Sequence, residues 1–202
     1  MQYVLTALMG YLLGCSNMAY FLSRIKNVDF RSKGSCNLGA SNTAVLLGWG
    51  PAVLVAGHDI GKALLAVLLA KLCFPTVEYA AAVAGAACVL GHIFPFYLKF
   101  KGGKGLASFL GAVAALNWKV GLAVVMLLVL VTVLTDFIAL GTLGVTAAAP
   151  VGLWFLSGSV MIPLIVCIAS VVIAVKHFEN VRRILNRTEI GLRSVARGEN
   201  KV

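Results

Sequence analysis

The sequence predicts an all-α integral membrane protein of seven transmembrane helices, N-terminus outside and C-terminus in the cytoplasm. Three observations carry that expectation. Of 202 residues, 60% are hydrophobic and 12% charged, against roughly 45–50% and roughly 25% in soluble domains. Mean hydropathy is +0.97. The net charge of +10 is gathered into a few short segments between apolar runs. A soluble globule of this length cannot enclose so much apolar surface, whereas a bilayer accepts it directly. At about 20 residues per crossing, the chain has room for a single polytopic domain over residues 1–202 and none for a soluble module.

The spans follow in order. Tyr3 to Leu22 is the first; no basic residue precedes it and several follow, so it reads as a retained span and not a cleaved signal. Pro51 to Phe74 returns, Pro75 to Tyr79 turns, and Tyr79 to Leu98 comes back to FPFYLKFKGGKG. Gly105 to Asn117 is short for a crossing. Trp118 to Thr135 follows it, with Asn117, Trp118 and Lys119 as turn and aromatic anchor. Phe137 to Phe155 and Val160 to Val175 complete the set.

Orientation comes from the basic residues. Arg24, Lys26, Arg31 and Lys33 follow the first span, Lys99, Lys101 and Lys104 form a second cluster, and Lys176, Arg182, Arg183, Arg187, Arg193, Arg197 and Lys201 form the tail. Positive loops face the cytoplasm, so loops at about 23–42 and 99–104 and the tail 177–202 belong on one side of the membrane. Beyond Arg187 the charges read equally well as topology signals alone. Nucleic-acid binding has no folded module to carry it. The five cysteines form no CxxC pair and the three histidines are widely spaced, so no metal site is expected.

Four polar constellations interrupt the apolar background, where polar groups are costly and mostly paired or functional. In Gly34-Ser35-Cys36-Asn37-Leu38-Gly39-Ala40-Ser41-Asn42, two glycines let backbone N–H groups converge. Ser35, Asn37 and Asn42 add side-chain hydrogen bonds, and Ser41 or Asn42 can cap a helix beginning at Thr43. Such a loop suits an anion or is a plain turn rich in turn formers. In Lys101-Gly102-Gly103-Lys104-Gly105, glycines, two lysines and a following helix start describe a phosphate cradle. The same residues also read as a basic stop-transfer turn. Asp59 and Lys62, at i and i+3 inside the second span, read as a structural ion pair, or as a pair that contributes to the field of the site. His177 and Asn180 share a face at the end of the last span, where histidine either caps a helix or binds phosphate and moves a proton. Three anion-suited loops at one membrane face imply anionic, amphipathic substrates.

These residues resemble the bacterial acyl-phosphate-dependent glycerol-3-phosphate acyltransferases, the PlsY family. The resemblance rests on GSxNxGASN, the DxxK of Asp59 and Lys62, Gly91-His92-Ile93-Phe94-Pro95 followed by FKGGKG, and KHxxNxxR with Leu185, Thr188 and Glu189 after it. It implies transfer of a fatty acyl group from acyl phosphate to the 1-hydroxyl of glycerol 3-phosphate, giving lysophosphatidic acid in phospholipid biosynthesis, with no cofactor. By the same resemblance, Ser35, Lys104, His177 and Asn180 are the catalytic residues. Gly34, Asn37, Gly39, Asn42, Gly102, Gly103 and Thr142 bind substrate phosphate, and Asp59 and Lys62 are a supporting charge pair. The chain departs from the family at Cys36, a usual glycine, at Thr142, commonly serine, and at Val45, where the family carries arginine. Val45 predicts weak binding of glycerol 3-phosphate, a different acceptor, or a cation supplied by Arg31, Lys33 or Arg183. A phosphate or organic-anion transporter would share the basic loops but favours repeats and broken helices at the bilayer midplane, and no repeat is present. A non-enzymatic scaffold would need none of the anion motifs.

Overall fold

The computed structural model describes residues 1–198, so Lys201 of the basic tail lies outside the described residues. All regular structure among them is helical: α1 (Gln2–Cys15), α2 (Met18–Ile25), α3 (Ala40–Leu47), α4 (Trp49–Cys73), α5 (Ala80–Ile93), a 3-10 turn (Phe96–Leu98), α6 (Leu106–Leu116), α7 (Trp118–Thr135), α8 (Ile138–Leu156), α9 (Met161–Leu185) and α10 (Leu192–Arg197). Six helical stretches are long and apolar enough to cross a membrane: Gln2–Ile25, Trp49–Cys73, Ala80–Leu98, Trp118–Thr135, Ile138–Leu156 and Met161–Leu185. The seventh expected crossing, α6, is a helix of 11 residues, about 16 Å at 1.5 Å per residue. Lys71 donates to the Ala115 carbonyl at its C-terminal end, 2.6 Å away.

Packing places α5 at the centre, against α1, α4, α6 and α9. Its contact with α1 is a small-residue seam: a Cβ at Gly10 would overlap the Ala84 carbonyl, and one at Gly14 the Cys88 carbonyl. This four-residue spacing lets two helix backbones meet, the arrangement that substitutes for hydrophobic driving force in lipid. The outward faces are apolar, as on α7 with Met126, Val129, Leu130, Val133 and Leu134 exposed.

Two elements differ from the sequence expectation. The first span breaks at Ser16–Asn17, where the Asn17 side chain accepts the Tyr20 N–H at 2.9 Å and caps α2. Serine and asparagine compete for backbone hydrogen bonds and favour such caps over helix interior. The carbonyls freed at the break are taken up by Tyr97, whose hydroxyl donates to Cys15 O at 2.8 Å, and by Lys62, which donates to Ser16 O at 2.5 Å. The last span does not end at Val175: α9 continues to Leu185 and carries His177 and Asn180 as buried residues.

Candidate active site

The segment between α2 and α3 is organised by Asn42. Its carboxamide oxygen accepts the Ser35 N–H at 2.8 Å, and its nitrogen reaches the carbonyls of Phe30, Asn37 and Lys33 at 2.9, 3.0 and 3.2 Å. The helix after it begins at Ala40 with Gly39 as N-cap and no side-chain cap bond. The expected cap from Ser41 or Asn42 is therefore replaced: Asn42 is spent on the loop that precedes it. Gly34 lies against the Asn42 oxygen at φ +60°, and Cys36 adopts φ +53°, a left-handed conformation that glycine takes more readily.

The second loop, 99–105, returns from the 3-10 turn to α6. Gly102 and Gly103 N–H groups donate to Ile93 O and His92 O at 3.0 and 3.1 Å, which ties the loop to the end of α5. Arg31 braces its outer side, donating to the Lys101 carbonyl at 3.0 Å. Lys104 is thereby fixed with its ammonium 2.5 Å from Oδ1 of Asn180 on α9. Burial, and then the nearby Arg183 guanidinium, push the Lys104 ammonium down to about 8.

On α9, His177 Nδ1 lies 2.8 Å from the Ile173 carbonyl. A carbonyl only accepts, so Nδ1 carries the hydrogen and Nε2 keeps a lone pair. Asn180 donates to Glu189 Oε1 at 2.5 Å, and Glu189 Oε2 accepts from Arg183 Nε at 2.6 Å. Lys104, Asn180, Glu189 and Arg183 thus form one chain of charge-assisted contacts.

A buried network backs the site. Asp59 Oδ1 lies 2.7 Å from Lys62 Nζ, the expected i, i+3 pair, and two residues outside that expectation join it: His92 Nδ1 at 3.3 Å and His58 Nδ1 at 3.5 Å. Lys62 Nζ also lies 2.9 Å from His92 Nδ1.

A cavity of about 270 Å³ gathers these elements. Its polar lining comes from Ser35, Asn37, Asp59, His92, Lys104, His177, Asn180 and Glu189, with Gly39 beside them, and its apolar lining includes Val45, Trp49, Ala52, Val53, Ile138, Leu192 and Val195. Gly34, Asn42, Lys62, Gly102, Gly103 and Thr142 do not line it. Thr142 is fully buried and donates its hydroxyl to Ile138 O within α8 at 2.8 Å. Val45, in the position where the resemblance leads one to expect arginine, faces the cavity.

Sequence reasoning leaves the charges beyond Arg187 open between topology signals and a further role, and names no site residue among them. The structure folds this tail back. Asp136, in the turn between α7 and α8, accepts the Leu192 N–H on its carbonyl at 2.9 Å and the Arg193 N–H on Oδ1 at 2.8 Å. Arg193 Nη2 donates to Val133 O at 3.0 Å. This clamp sets Ile190, Leu192 and Val195 against the cavity.

Known proteins are similar to this chain in sequence and in fold. A family model for glycerol-3-phosphate acyltransferase matches residues 4–187. The chain is 34% identical over 203 residues to glycerol-3-phosphate acyltransferase 1 of Oceanobacillus iheyensis, covering 96% of this chain and 97% of that protein. It is 37% identical over 192 residues to glycerol-3-phosphate acyltransferase of a Thermoanaerobacter strain, with 94% and 95% covered. Among solved structures it is similar to PlsY (YgiH), an integral membrane glycerol 3-phosphate acyltransferase, in the glycerol 3-phosphate form. The TM-score is 0.90 at 28% identity, over 97% of this chain and 98% of that one. With sequence and fold in agreement, the chain belongs to the glycerol-3-phosphate acyltransferase family.

Proposed function

We propose that this chain transfers a fatty acyl group from acyl phosphate to the 1-hydroxyl of glycerol 3-phosphate, releasing lysophosphatidic acid and inorganic phosphate at the cytoplasmic face of the membrane. The observation that carries the reading is one cavity lined both by Lys104, Asn180 and the Ser35 loop and by apolar walls. An acyl phosphate is built the same way, with a dianionic head and a hydrocarbon tail. The exposed side chains of Trp49 and Val53 on the apolar wall give that tail a route to lipid. The similar PlsY structures were determined in glycerol 3-phosphate and lysophosphatidic acid forms, an acceptor and a product that fit such a cavity.

Acyl phosphate is a mixed anhydride and arrives activated, so the protein's work is alignment and charge dispersal. The acceptor oxygen attacks the acyl carbonyl carbon. The bond from that carbon to the phosphate oxygen breaks, and the electron pair leaves with phosphate. Lys104, with the side chains of Ser35 and Asn37 that line the same cavity, stabilises the charge gained by phosphate. The hydroxyl proton has two candidate acceptors, His177 and a substrate phosphate. The lone pair on His177 Nε2, fixed by the Ile173 carbonyl behind the ring, favours His177 as the acceptor.

Alanine variants of Lys104, His177 and Asn180 test this reading in a turnover assay on purified protein. Each is expected to lose activity while inserting normally in the membrane. Near wild-type turnover in all three would overturn the assignment.

A further inference from the structure

The mechanism above leaves His92 without a role, although its ring lines the cavity and is 3% exposed. The hydrogen bonds of Lys62 determine what that ring can do. Lys62 Nζ has three acceptors around it: Ser16 O at 2.5 Å, Asp59 Oδ1 at 2.7 Å and His92 Nδ1 at 2.9 Å. An ammonium has three hydrogens and no lone pair, and the adjacent Asp59 carboxylate balances its charge in this buried position. All three hydrogens are used only if His92 Nδ1 accepts one. A hydrogen on Nδ1 aimed at Asp59 Oδ1, 3.3 Å away, would instead face the ammonium and strand its third donor. Nδ1 is therefore bare, and a neutral imidazole with bare Nδ1 carries its hydrogen on Nε2.

Nε2 sits against Gly103. A Cβ at that position would overlap Nε2, so the residue preceding Lys104 must lack a side chain for this nitrogen to stay uncovered. The two cavity histidines thus have opposite tautomers: His177 shows a lone pair on Nε2, and His92 shows a hydrogen there.

We infer that His92 is a further substrate-binding residue, its Nε2–H donating to an anionic phosphoryl oxygen held by Lys104, and that Lys62 is the positioning residue that fixes its tautomer. The identity of the anion rests on the acyl-transfer reading; the tautomer does not. The break in the first span acquires a purpose here, since the Ser16 carbonyl it frees is one of the three acceptors that orient the Lys62 ammonium.

Two variants separate this role from a structural one. The side-chain amide nitrogen of His92→Gln can stand where Nε2–H stood but loses the Nδ1 contact. His92→Asn keeps an acceptor near Lys62 but is too short to donate into the cavity. With wild-type protein in nanodiscs, long-range 1H–15N spectra are expected to show the Nε2–H tautomer for the resonance that disappears in His92→Gln. In the assay, His92→Asn is expected to lower kcat/KM at least about tenfold, the scale of one hydrogen bond to a charged group, and His92→Gln less than about threefold. The KM that rises, for acyl phosphate or for glycerol 3-phosphate, identifies which phosphate is bound. An Nδ1–H signature in wild type would overturn the inference, as would wild-type kcat/KM in His92→Asn or an equal loss in the two variants. Absence of turnover in wild type would overturn the acyl-transfer reading alone. Binding of inorganic phosphate to wild type, weakened about tenfold in His92→Asn, then supports the His92 assignment, and unchanged binding overturns it.

Discussion

Lys104 on the 99–105 loop and Asn180 on α9 meet through a 2.5 Å hydrogen bond from ammonium to carboxamide oxygen. This contact joins the two segments that carry most of the site's charge. Because the ammonium is pushed down to about 8 by burial and by Arg183, it is charged below that pH and neutral above it. The kcat/KM for acyl phosphate should therefore fall as pH rises through about 8, since this parameter reports groups in the free enzyme. Lys104→Ala should lower turnover by roughly a hundredfold, the scale of losing one charge-stabilising donor. Lys104→Arg, charged at all working pH values, should remove the alkaline limb from whatever activity it retains. A flat profile in wild type up to pH 9.5 or so would contradict the assignment.

Val45 faces the cavity and, with Arg197, an adjoining groove. Two of the substitute cations named from the sequence already have partners, Arg31 the Lys101 carbonyl and Arg183 the Glu189 carboxylate. The expected result is a high KM for glycerol 3-phosphate that Val45→Arg lowers about ten- to a hundredfold, the value of one charge-assisted contact. An unchanged KM in Val45→Arg would show that another cation already fills the role.

The Asp136 clamp makes a separate prediction. Asp136→Ala removes the carboxylate that accepts the Arg193 N–H, a loss on the order of 1 kcal/mol. The tail should open more often, so trypsin should cut at Arg193 several-fold faster and the KM for acyl phosphate should rise. Equal cleavage rates and equal KM would show that the tail's position does not depend on Asp136.

Orientation is tested by thiol chemistry. Cys36 is exposed at the end of the bundle that carries the polar cavity, and Glu78 lies in the turn at the opposite end, between α4 and α5. An impermeant maleimide should label Cys36 in inside-out vesicles and Glu78→Cys in right-side-out vesicles. Labelling of Glu78→Cys from the cytoplasmic side would invert the topology.

Much of this architecture was legible in the chain because lipid simplifies the reading: each apolar run must be a helix, since no other open segment satisfies its backbone in hydrocarbon. The Asp59–Lys62 pair was legible for a similar reason, as two opposite charges three residues apart in a span have few other ways to be buried. What escaped depended on contacts between distant segments. His92 stands in the sequence as one of three scattered histidines and within the Gly91–Pro95 block, with no role attached, and only packing of α4 against α5 puts its Nδ1 beside Lys62. Asn42 carries the signature of a helix cap, yet the loop before it curls back and consumes its side chain. The break after Cys15 had a local signal in Ser16-Asn17, which the surrounding hydropathy outweighed. The tail beyond Arg187 stays undecided in the sequence between a topology signal and a further role because its clamp, Asp136, is 57 residues upstream of Arg193.

The central claim is acyl transfer from an activated acyl phosphate by a cavity with a fixed ammonium for the departing phosphate. The most direct measurement gives purified protein glycerol 3-phosphate with acyl phosphate, acyl coenzyme A or acyl carrier protein, each as sole donor, and follows lysophosphatidic acid. The account predicts product from acyl phosphate alone, with one inorganic phosphate released per acyl group transferred. Equal product from acyl coenzyme A, or none from acyl phosphate, would contradict it.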